Sequence, residues 1–144
     1  MDEVFEDLYI GGIEDTADPD LVEEEKVDRV ISLTHEDPRT SFSDRVQVSD
    51  FAMKDGPQND EEVFHAAVNE VVQALESGET VFVHCSKGFS RSPSVAATAA
   101  AIYNDIGMDQ SFIQIQRHRQ EVNPHDDLVS QAFEAYYELT DQER

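Results

Sequence analysis

One stretch of this chain combines residue types that could carry out nucleophilic chemistry on an anion. The sequence HCSKGFSRS, at residues 84–92, contains the only cysteine of the chain, Cys85, followed by Gly88 at the third position and Arg91 at the sixth. A thiolate is a strong nucleophile, a glycine permits a tight turn, and a guanidinium binds two oxygens of one phosphate. The pattern therefore predicts a phosphate-binding loop with a nucleophile at its base.

The segments on either side of this loop predict how it is held. TVFVH, at 80–84, has three consecutive apolar residues, which favours a strand buried on both faces of a sheet. SPSVAATAAAIYNDIG, at 92–107, predicts a helix that packs closely on that sheet and is closed by Gly107. A turn from a buried strand into a helix N-terminus directs backbone N–H groups and the helix dipole at one point, which favours a bound anion. The same field favours the thiolate form of Cys85.

The rest of the chain alternates between strand and helix patterns, which predicts an α/β domain. Three strands are predicted at VFEDLYIGG (4–12), VDRVISL (27–33) and RVQVSDF (45–51), and a short helix is predicted at ADPDLVEEEKV (17–27) with Pro19 at its start.

Three more helices are predicted from helix caps and apolar spacing. One is capped by Asn59 and ends near Gly78, and the next is capped by Asp109 and extends through Arg119. The last helix carries apolar residues on one face, at Leu128, Val129, Ala132, Phe133, Tyr136 and Tyr137.

The charge of the chain limits its partners. Its formal net charge is −22, from 32 acidic and 10 basic side chains. Nucleic acids and anionic membranes bind basic surfaces, so we expect neither as a partner. The acid is spread along the whole chain, which indicates adaptation to concentrated salt, where the Debye length is about 3 Å at 1 M. A dedicated basic partner is the alternative explanation.

Cysteine content and hydropathy indicate where the protein works. A single cysteine cannot form a disulfide within the chain, and the N-terminal sequence MDEVFEDLYI lacks the basic and apolar segments of a signal peptide. No apolar stretch approaches the roughly 20 residues of a membrane span. We therefore expect a cytoplasmic protein.

The loop and its surroundings resemble a known family. HCSKGFSRS resembles the signature loop of the dual-specificity group of cysteine-dependent protein phosphatases. Residues 6–36 and 119–133 are similar to the opening and closing stretches of that family, so the resemblance covers nearly all of the chain. It implies one catalytic domain over 1–144, with a central, mostly parallel sheet of about five strands flanked by helices. It also implies phosphomonoester hydrolysis without a cofactor or a metal.

The resemblance also implies roles for individual residues. Cys85 would be the nucleophile, Arg91 would bind the phosphate, Ser92 would donate a hydrogen bond to the leaving thiolate, and His84 would position the cysteine. The phosphate would be held by the whole loop, namely Ser86, Lys87, Gly88, Phe89, Ser90 and Arg91. Two questions stay open. Lys87 either attracts further acidic groups of a substrate or offsets local acid, and Phe89 either lines the pocket rim or packs beneath it.

The family uses an aspartate on an upstream loop as general acid, and the segment VSDFAMKDGPQNDEE (48–62) offers three candidates. Asp60 is assigned to the start of the following helix. Asp55 is favoured, because KDGPQN has the composition of a loop. Asp50 is the alternative.

Three functions follow from the resemblance. The first is dephosphorylation of phosphotyrosine, with phosphoserine and phosphothreonine as further substrates, in a phosphoprotein partner. The second is a phosphatase for a non-protein substrate, such as an RNA 5′-phosphate or a small-molecule phosphate. The third is a non-catalytic module that binds phosphoproteins, although such modules usually lose the cysteine, the arginine or the acid. A monomer is expected, and no metal, because the four other histidines lack ligand spacing such as HExxH.

Overall fold

The computed structural model describes residues 1–39, 42–57 and 59–140. Its strands are β1 (Asp2–Phe5), β2 (Leu8–Gly12), β3 (Arg29–Ser32), β4 (Gln47–Asp50) and β5 (Val81–Cys85). Its α-helices are α1 (Pro19–Glu24), α2 (Glu61–Glu76), α3 (Arg91–Asn104), α4 (Met108–His118) and α5 (Asp126–Thr140), and a 3-10 helix lies at Ile13–Ala17.

The strands form one sheet in the order β1-β2-β5-β3-β4. Only β1 runs antiparallel to its neighbour, whereas β2, β5, β3 and β4 are parallel to one another. The predicted α/β class and the mostly parallel sheet of about five strands are therefore confirmed. The strand that precedes the cysteine is central, and all five of its residues are buried, as its apolar run predicts.

Side chains of β5 alternate between two hydrophobic cores. Val81 and Val83 face the larger core, which the sheet forms with α2, α3, α4 and α5. Phe82 faces a smaller core on the opposite side, where Val22 of α1 covers it. In α3, ten consecutive residues from Ser92 to Ala101 are buried, because alanine and serine side chains let neighbouring helices approach closely. The two cores thus hold β5, which leads into the loop, from both faces of the sheet.

Two predicted boundaries in the first half of the chain are wrong. Residues 4–12 do not form one strand, because the chain reverses at Asp7, which has a φ of 64°, and splits the segment into β1 and β2. Asn59 does not cap α2. Asp60 does so, accepting a hydrogen bond from the Glu62 amide at 2.8 Å.

The junction between α3 and α4 also differs from the prediction. Asp105, in the left-handed conformation, closes α3, and Gly107 instead precedes the first residue of α4. Asp109 lies in the first turn of α4 and provides no cap. An aspartate can adopt the left-handed conformation because its short polar side chain bonds locally, so glycine is not required there.

No helix among the residues that the structure describes is long and apolar enough to cross a membrane.

Candidate active site

The predicted phosphate-binding loop joins the carboxyl end of β5 to α3, with Cys85 as the last residue of the strand and Arg91 as the first of the helix. The loop encloses a cavity of about 190 Å³. The cavity is lined by Asp55, Cys85, Ser86, Lys87, Phe89, Ser90 and Arg91. The structure therefore brings most of the predicted site residues around one small cavity.

The peptide carbonyls of the loop all bond to groups outside it. The Ser86 carbonyl accepts from the Ile13 amide at 2.9 Å, and the Phe89 carbonyl accepts from the Asn123 amide at 2.8 Å. The Lys87 and Gly88 carbonyls both accept from the guanidinium of Arg119, at 2.9 and 3.0 Å. A trans peptide directs its N–H opposite to its carbonyl, and the described chain has no cis peptide. The N–H groups of residues 87–90 therefore point away from these partners.

Gly88 is required by both backbone conformation and space. Its φ is +75°, which L side chains rarely adopt. A Cβ there would lie 2.6 Å from the carbonyl carbon of Gly11, at the end of β2. At Gly12 a Cβ would lie 2.8 Å from the Ser86 carbonyl oxygen. The loop is thus pressed against a two-glycine strand end, which the sequence prediction did not identify as part of the site.

Cys85 is buried beneath the loop, with 2% of its surface exposed. Its sulfur lies 3.3 Å from the hydroxyl oxygen of Ser92, and it accepts a hydrogen bond from the Ser92 amide at 3.4 Å. Both Ser92 groups lie in the first turn of α3, so the positive end of the helix dipole also lies close to the sulfur. The sulfur is thus in contact with an amide and a hydroxyl at the N-terminus of α3.

His84 lies directly behind the cysteine in β5 and is fully buried. Its Nε2 lies 2.5 Å from the hydroxyl oxygen of Ser32, on the neighbouring strand β3. Burial lowers the pKa of His84 below its ordinary value, and an interaction with the Cys85 backbone opposes that shift. The imidazole is therefore held neutral and fixed in place, but it does not line the cavity.

Arg91 connects the two segments that flank the cavity. One terminal nitrogen donates to the Met53 carbonyl at 3.0 Å, and the other donates to the Ser86 hydroxyl at 2.8 Å. Its Nε is buried and bonds to no group in the described part of the chain. Since Arg91 lines the cavity, this N–H is a donor that a bound phosphate can use.

The loop after β4 carries Asp55 to the cavity wall. Asn59 shapes this loop: its side chain accepts from the Lys54 amide at 2.6 Å and donates to the carbonyls of Lys54 and Gly56 at 2.7 and 3.1 Å. Asp50 is the last residue of β4 and does not line the cavity. The position of Asp55 favours it over Asp50 as a proton donor.

Lys87 and Phe89 both line the cavity, and for Phe89 this favours the alternative in which the ring forms part of the pocket wall. Lys87 is exposed, and the half-buried Phe89 ring lies 5.9 Å beneath the guanidinium carbon of Arg119. A backbone contact from the segment before α5 also supports the loop, because the amide of His125 donates to the Ser90 hydroxyl at 2.8 Å. That contact does not depend on the type of side chain at position 125.

One possible metal-ligand group lies outside this cavity. Glu61, His65 and Glu138 offer ligand atoms within 4.8 Å of one another. A hydrogen bond with Glu138 raises the pKa of Glu61 above its ordinary value. The spacing of Glu61 and His65 by one helical turn was visible in the sequence, but Glu138 comes from α5, so only the fold assembles the group.

The arrangement is an anion cradle between a parallel strand and a helix, with a nucleophilic sulfur below it and an arginine at its edge. That combination defines the class of cysteine-dependent phosphatase folds. The family model "Dual specificity phosphatase, catalytic domain" matches residues 8–138. The chain therefore belongs to the dual specificity phosphatase family.

Individual relatives agree with this assignment. The chain is similar to Dual specificity protein phosphatase 15 of Mus musculus, with 27% identity over 129 residues, which is 87% of this chain and 53% of that protein. It is also similar to Dual specificity protein phosphatase 22 of Homo sapiens, with 25% identity over 126 residues, which is 87% of this chain and 67% of that protein. The chain thus spans about half of the first relative's length.

Solved structures with low sequence identity share the fold. The crystal structure of human DUSP28 has a TM-score of 0.89 at 17% identity and covers 99% of this chain and 100% of that one. The human tyrosine phosphatase-like serine/threonine/tyrosine-interacting protein has a TM-score of 0.83 at 19% identity and covers 97% of this chain and 96% of that one.

Proposed function

We propose that this domain, assigned to residues 1–144, is a protein phosphatase that removes phosphate from phosphotyrosine, and from phosphoserine and phosphothreonine, through a phosphocysteine intermediate. The observation that carries the proposal is that Cys85 and Arg91 line one small cavity, beside a loop whose carbonyls 86–89 all bond to groups outside the loop. Because the peptides are trans, the amides 87–90 are directed away from those groups and are available to a bound phosphate. Membership of the dual specificity phosphatase family supports the same activity.

In the first step, the Cys85 thiolate attacks phosphorus, so that an S–P bond forms while the bond from phosphorus to the substrate oxygen breaks. The loop amides and Arg91 bind the equatorial oxygens, whose charge shifts as the bond breaks. Protonated Asp55 gives its proton to the leaving oxygen, which becomes a neutral hydroxyl.

In the second step, a water molecule attacks the phosphocysteine. Asp55, now a carboxylate, takes a proton from this water as the new O–P bond forms and the S–P bond breaks. The Ser92 hydroxyl, 3.3 Å from the sulfur, donates a hydrogen bond to the departing thiolate. Inorganic phosphate then leaves, and the cysteine returns to its starting form.

The first experiment is hydrolysis of matched phosphotyrosine and phosphothreonine peptides in molar salt with EDTA present. Cys85→Ser serves as the blank, because a serine hydroxyl is a far weaker nucleophile than a thiolate. Phosphate release by the natural sequence and none by the variant is the expected result. A folded natural protein that cleaves neither peptide would refute protein phosphatase activity.

The role of Asp55 is tested by the dependence of the rate on the leaving group. Asp55→Asn should slow the turnover of phenyl phosphate, which has a poor leaving group, by about 100-fold or more, because general acid catalysis contributes about 10²–10⁴-fold. The turnover of p-nitrophenyl phosphate, which has a good leaving group, should change far less. Asp50→Asn is the matched variant, and a larger effect there than at Asp55 would transfer the role to Asp50.

A further inference from the structure

Arg119, the residue that follows α4, donates hydrogen bonds to two carbonyls of the phosphate-binding loop. Its Nε donates to the Gly88 carbonyl at 3.0 Å, and one terminal nitrogen donates to the Lys87 carbonyl at 2.9 Å. The other terminal nitrogen forms an ion pair with Asp2 of β1 at 2.7 Å. The guanidinium lies above the Phe89 ring.

These contacts fix two particular peptide groups. The Lys87 carbonyl shares a peptide with the Gly88 N–H, and the Gly88 carbonyl shares a peptide with the Phe89 N–H. Because each peptide is planar and trans, holding the carbonyl outward aims the N–H inward. The other two outward carbonyls, those of Ser86 and Phe89, bond to backbone amides instead. A single side chain therefore sets the direction of the two central amides of the cradle.

The surroundings of Arg119 suit a fixed positioning group rather than a mobile one. Its side chain is only 12% exposed, and the terminal nitrogen that the loop does not use donates to the Asp2 carboxylate. Asp2 is itself held in the sheet, where it pairs with Ile10 of β2. Since the guanidinium is planar, two of its N–H groups can bond to neighbouring carbonyls while a third bonds to Asp2.

We propose that Arg119, anchored by Asp2, is a positioning residue that orients the Gly88 and Phe89 amides for phosphate binding. The proposal rests on the proposed function only in that the bound group is a phosphoryl group. It also assigns a role to β1, which runs antiparallel to its neighbour, because this strand carries Asp2, the residue that holds Arg119 in place.

The basic cluster Arg117–His118–Arg119 could instead attract anionic substrates electrostatically. The geometry argues against this for Arg119, because its guanidinium is nearly buried and engaged by carbonyls and a carboxylate. Arg117, by contrast, is exposed on the same segment. Neutralising either arginine changes the net charge equally, so Arg117→Gln is a matched control for electrostatic attraction.

The test measures the affinity for inorganic phosphate, which probes the cradle without requiring turnover. The dissociation constant is obtained by calorimetry in 2 M NaCl for the natural protein and for Arg119→Gln, Arg119→Lys, Asp2→Asn and Arg117→Gln. A melting curve in the same buffer selects conditions in which every variant is folded. KM and kcat for a phosphotyrosine peptide are measured alongside.

Arg119→Gln should weaken phosphate binding about 10- to 100-fold, because the loss of one well-directed hydrogen bond to a charged group has an effect of that size. Arg119→Lys should recover part of the loss, since an ammonium restores the charge but lacks the planar fork. Asp2→Asn should give a smaller loss, and Arg117→Gln should stay within about 2-fold. KM and kcat should both worsen for Arg119→Gln, because the loop amides act in binding and in the transition state.

Two results would overturn the proposal. One is a phosphate affinity of folded Arg119→Gln within about 2-fold of the natural protein. The other is an equal loss in Arg117→Gln, which would show attraction by charge alone. If the natural protein binds phosphate but does not cleave the peptides, the proposed function fails, and the ratio of affinities still decides the role of Arg119.

Discussion

Replacing Gly88 by alanine should lower the stability of the domain in two ways, through an unfavourable backbone conformation and through a steric clash. An alanine at φ +75° adopts a left-handed conformation, which costs about 1–2 kcal/mol. At Gly88 the new Cβ also meets two backbone atoms, the carbonyl carbon and oxygen of Gly11, at 2.6 and 2.7 Å. Neither atom belongs to a flexible side chain, so the loop itself has to move.

Gly78 provides the matched control. It follows α2 with a φ of +78°, and nothing lies within 4 Å of a Cβ built there. Gly78→Ala should therefore lower the free energy of unfolding by about 1–2 kcal/mol, from the backbone conformation alone. Gly88→Ala should lower it by about 2–5 kcal/mol, because overpacking adds about 1–3 kcal/mol.

The activities of the two variants should differ more than their stabilities. Restoring an ordinary contact of 3.4 Å with Gly11 requires the loop to move by about 0.8 Å. A displacement of about 1 Å at a reacting centre can cost about 100-fold in rate, so Gly88→Ala should lose about that much kcat/KM. Gly78→Ala should keep full activity, since Gly78 lies in the turn between α2 and β5, away from the cavity.

The assays are urea unfolding in molar salt and hydrolysis of p-nitrophenyl phosphate. The reasoning is refuted if Gly88→Ala is as stable as Gly78→Ala and retains activity within about 3-fold of the natural protein. Such a result would mean that the loop does not lie against the end of β2.

Three further predictions concern the cysteine, the histidine behind it and the surface charge. Ser92→Ala should slow phosphocysteine hydrolysis about 10- to 100-fold, because a hydrogen bond to a charged group contributes about 1.5–3 kcal/mol. The phosphocysteine would then accumulate, and stopped-flow experiments with p-nitrophenyl phosphate should show a burst of nitrophenol. His84 has a lowered pKa, so below pH 6.5 the unfolded chain binds a proton that the folded domain does not. The contribution of His84 to the free energy of unfolding should therefore fall as the pH drops below 6.5 and stay constant above it. In urea titrations, His84→Gln should flatten that slope. With a net charge of −22, the melting temperature should rise between 0.1 and 2 M NaCl as repulsion is screened.

Each of these predictions has a result that contradicts it. An unchanged steady-state rate with no burst would remove Ser92 from the second step. Equal pH slopes for the natural protein and His84→Gln would mean that the imidazole titrates as it does in water. A melting temperature that is independent of salt would refute adaptation to concentrated salt and leave a basic partner as the explanation of the charge.

The local sequence, together with the family resemblance, predicted most of the residues that line the cavity. Cys85 and Arg91 sit at the two ends of a loop whose strand and helix are recognisable from neighbouring residues, because the apolar run and the alanines are continuous in the chain. The choice of Asp55 over Asp50 followed from local composition and from where the family places its acid, and the observed cavity lining favours it. Their catalytic roles stay predictions until the variants are measured.

Local signals were less successful where two residue types could serve equally well. Asn59 and Asp60 are both good helix caps, and only the folded loop shows that Asn59 bonds to Lys54 and Gly56 instead. The hairpin at Asp7 was missed because the strand pattern continues on both sides of a turn that contains no glycine.

The sequence by itself determined which side chains were candidates to attack and to bind a phosphate, because those properties belong to side chains and to their near neighbours in the chain, and the family resemblance added the candidate proton donor. Tertiary structure alone decided how the cradle is aimed. Its carbonyls are held outward by residues that are distant in the chain. Ile13 precedes the loop by about 70 residues, and Arg119 and Asn123 follow it by about 30. Hydrogen bonds between such distant residues form only when sheet and helices pack, so no local pattern encodes them.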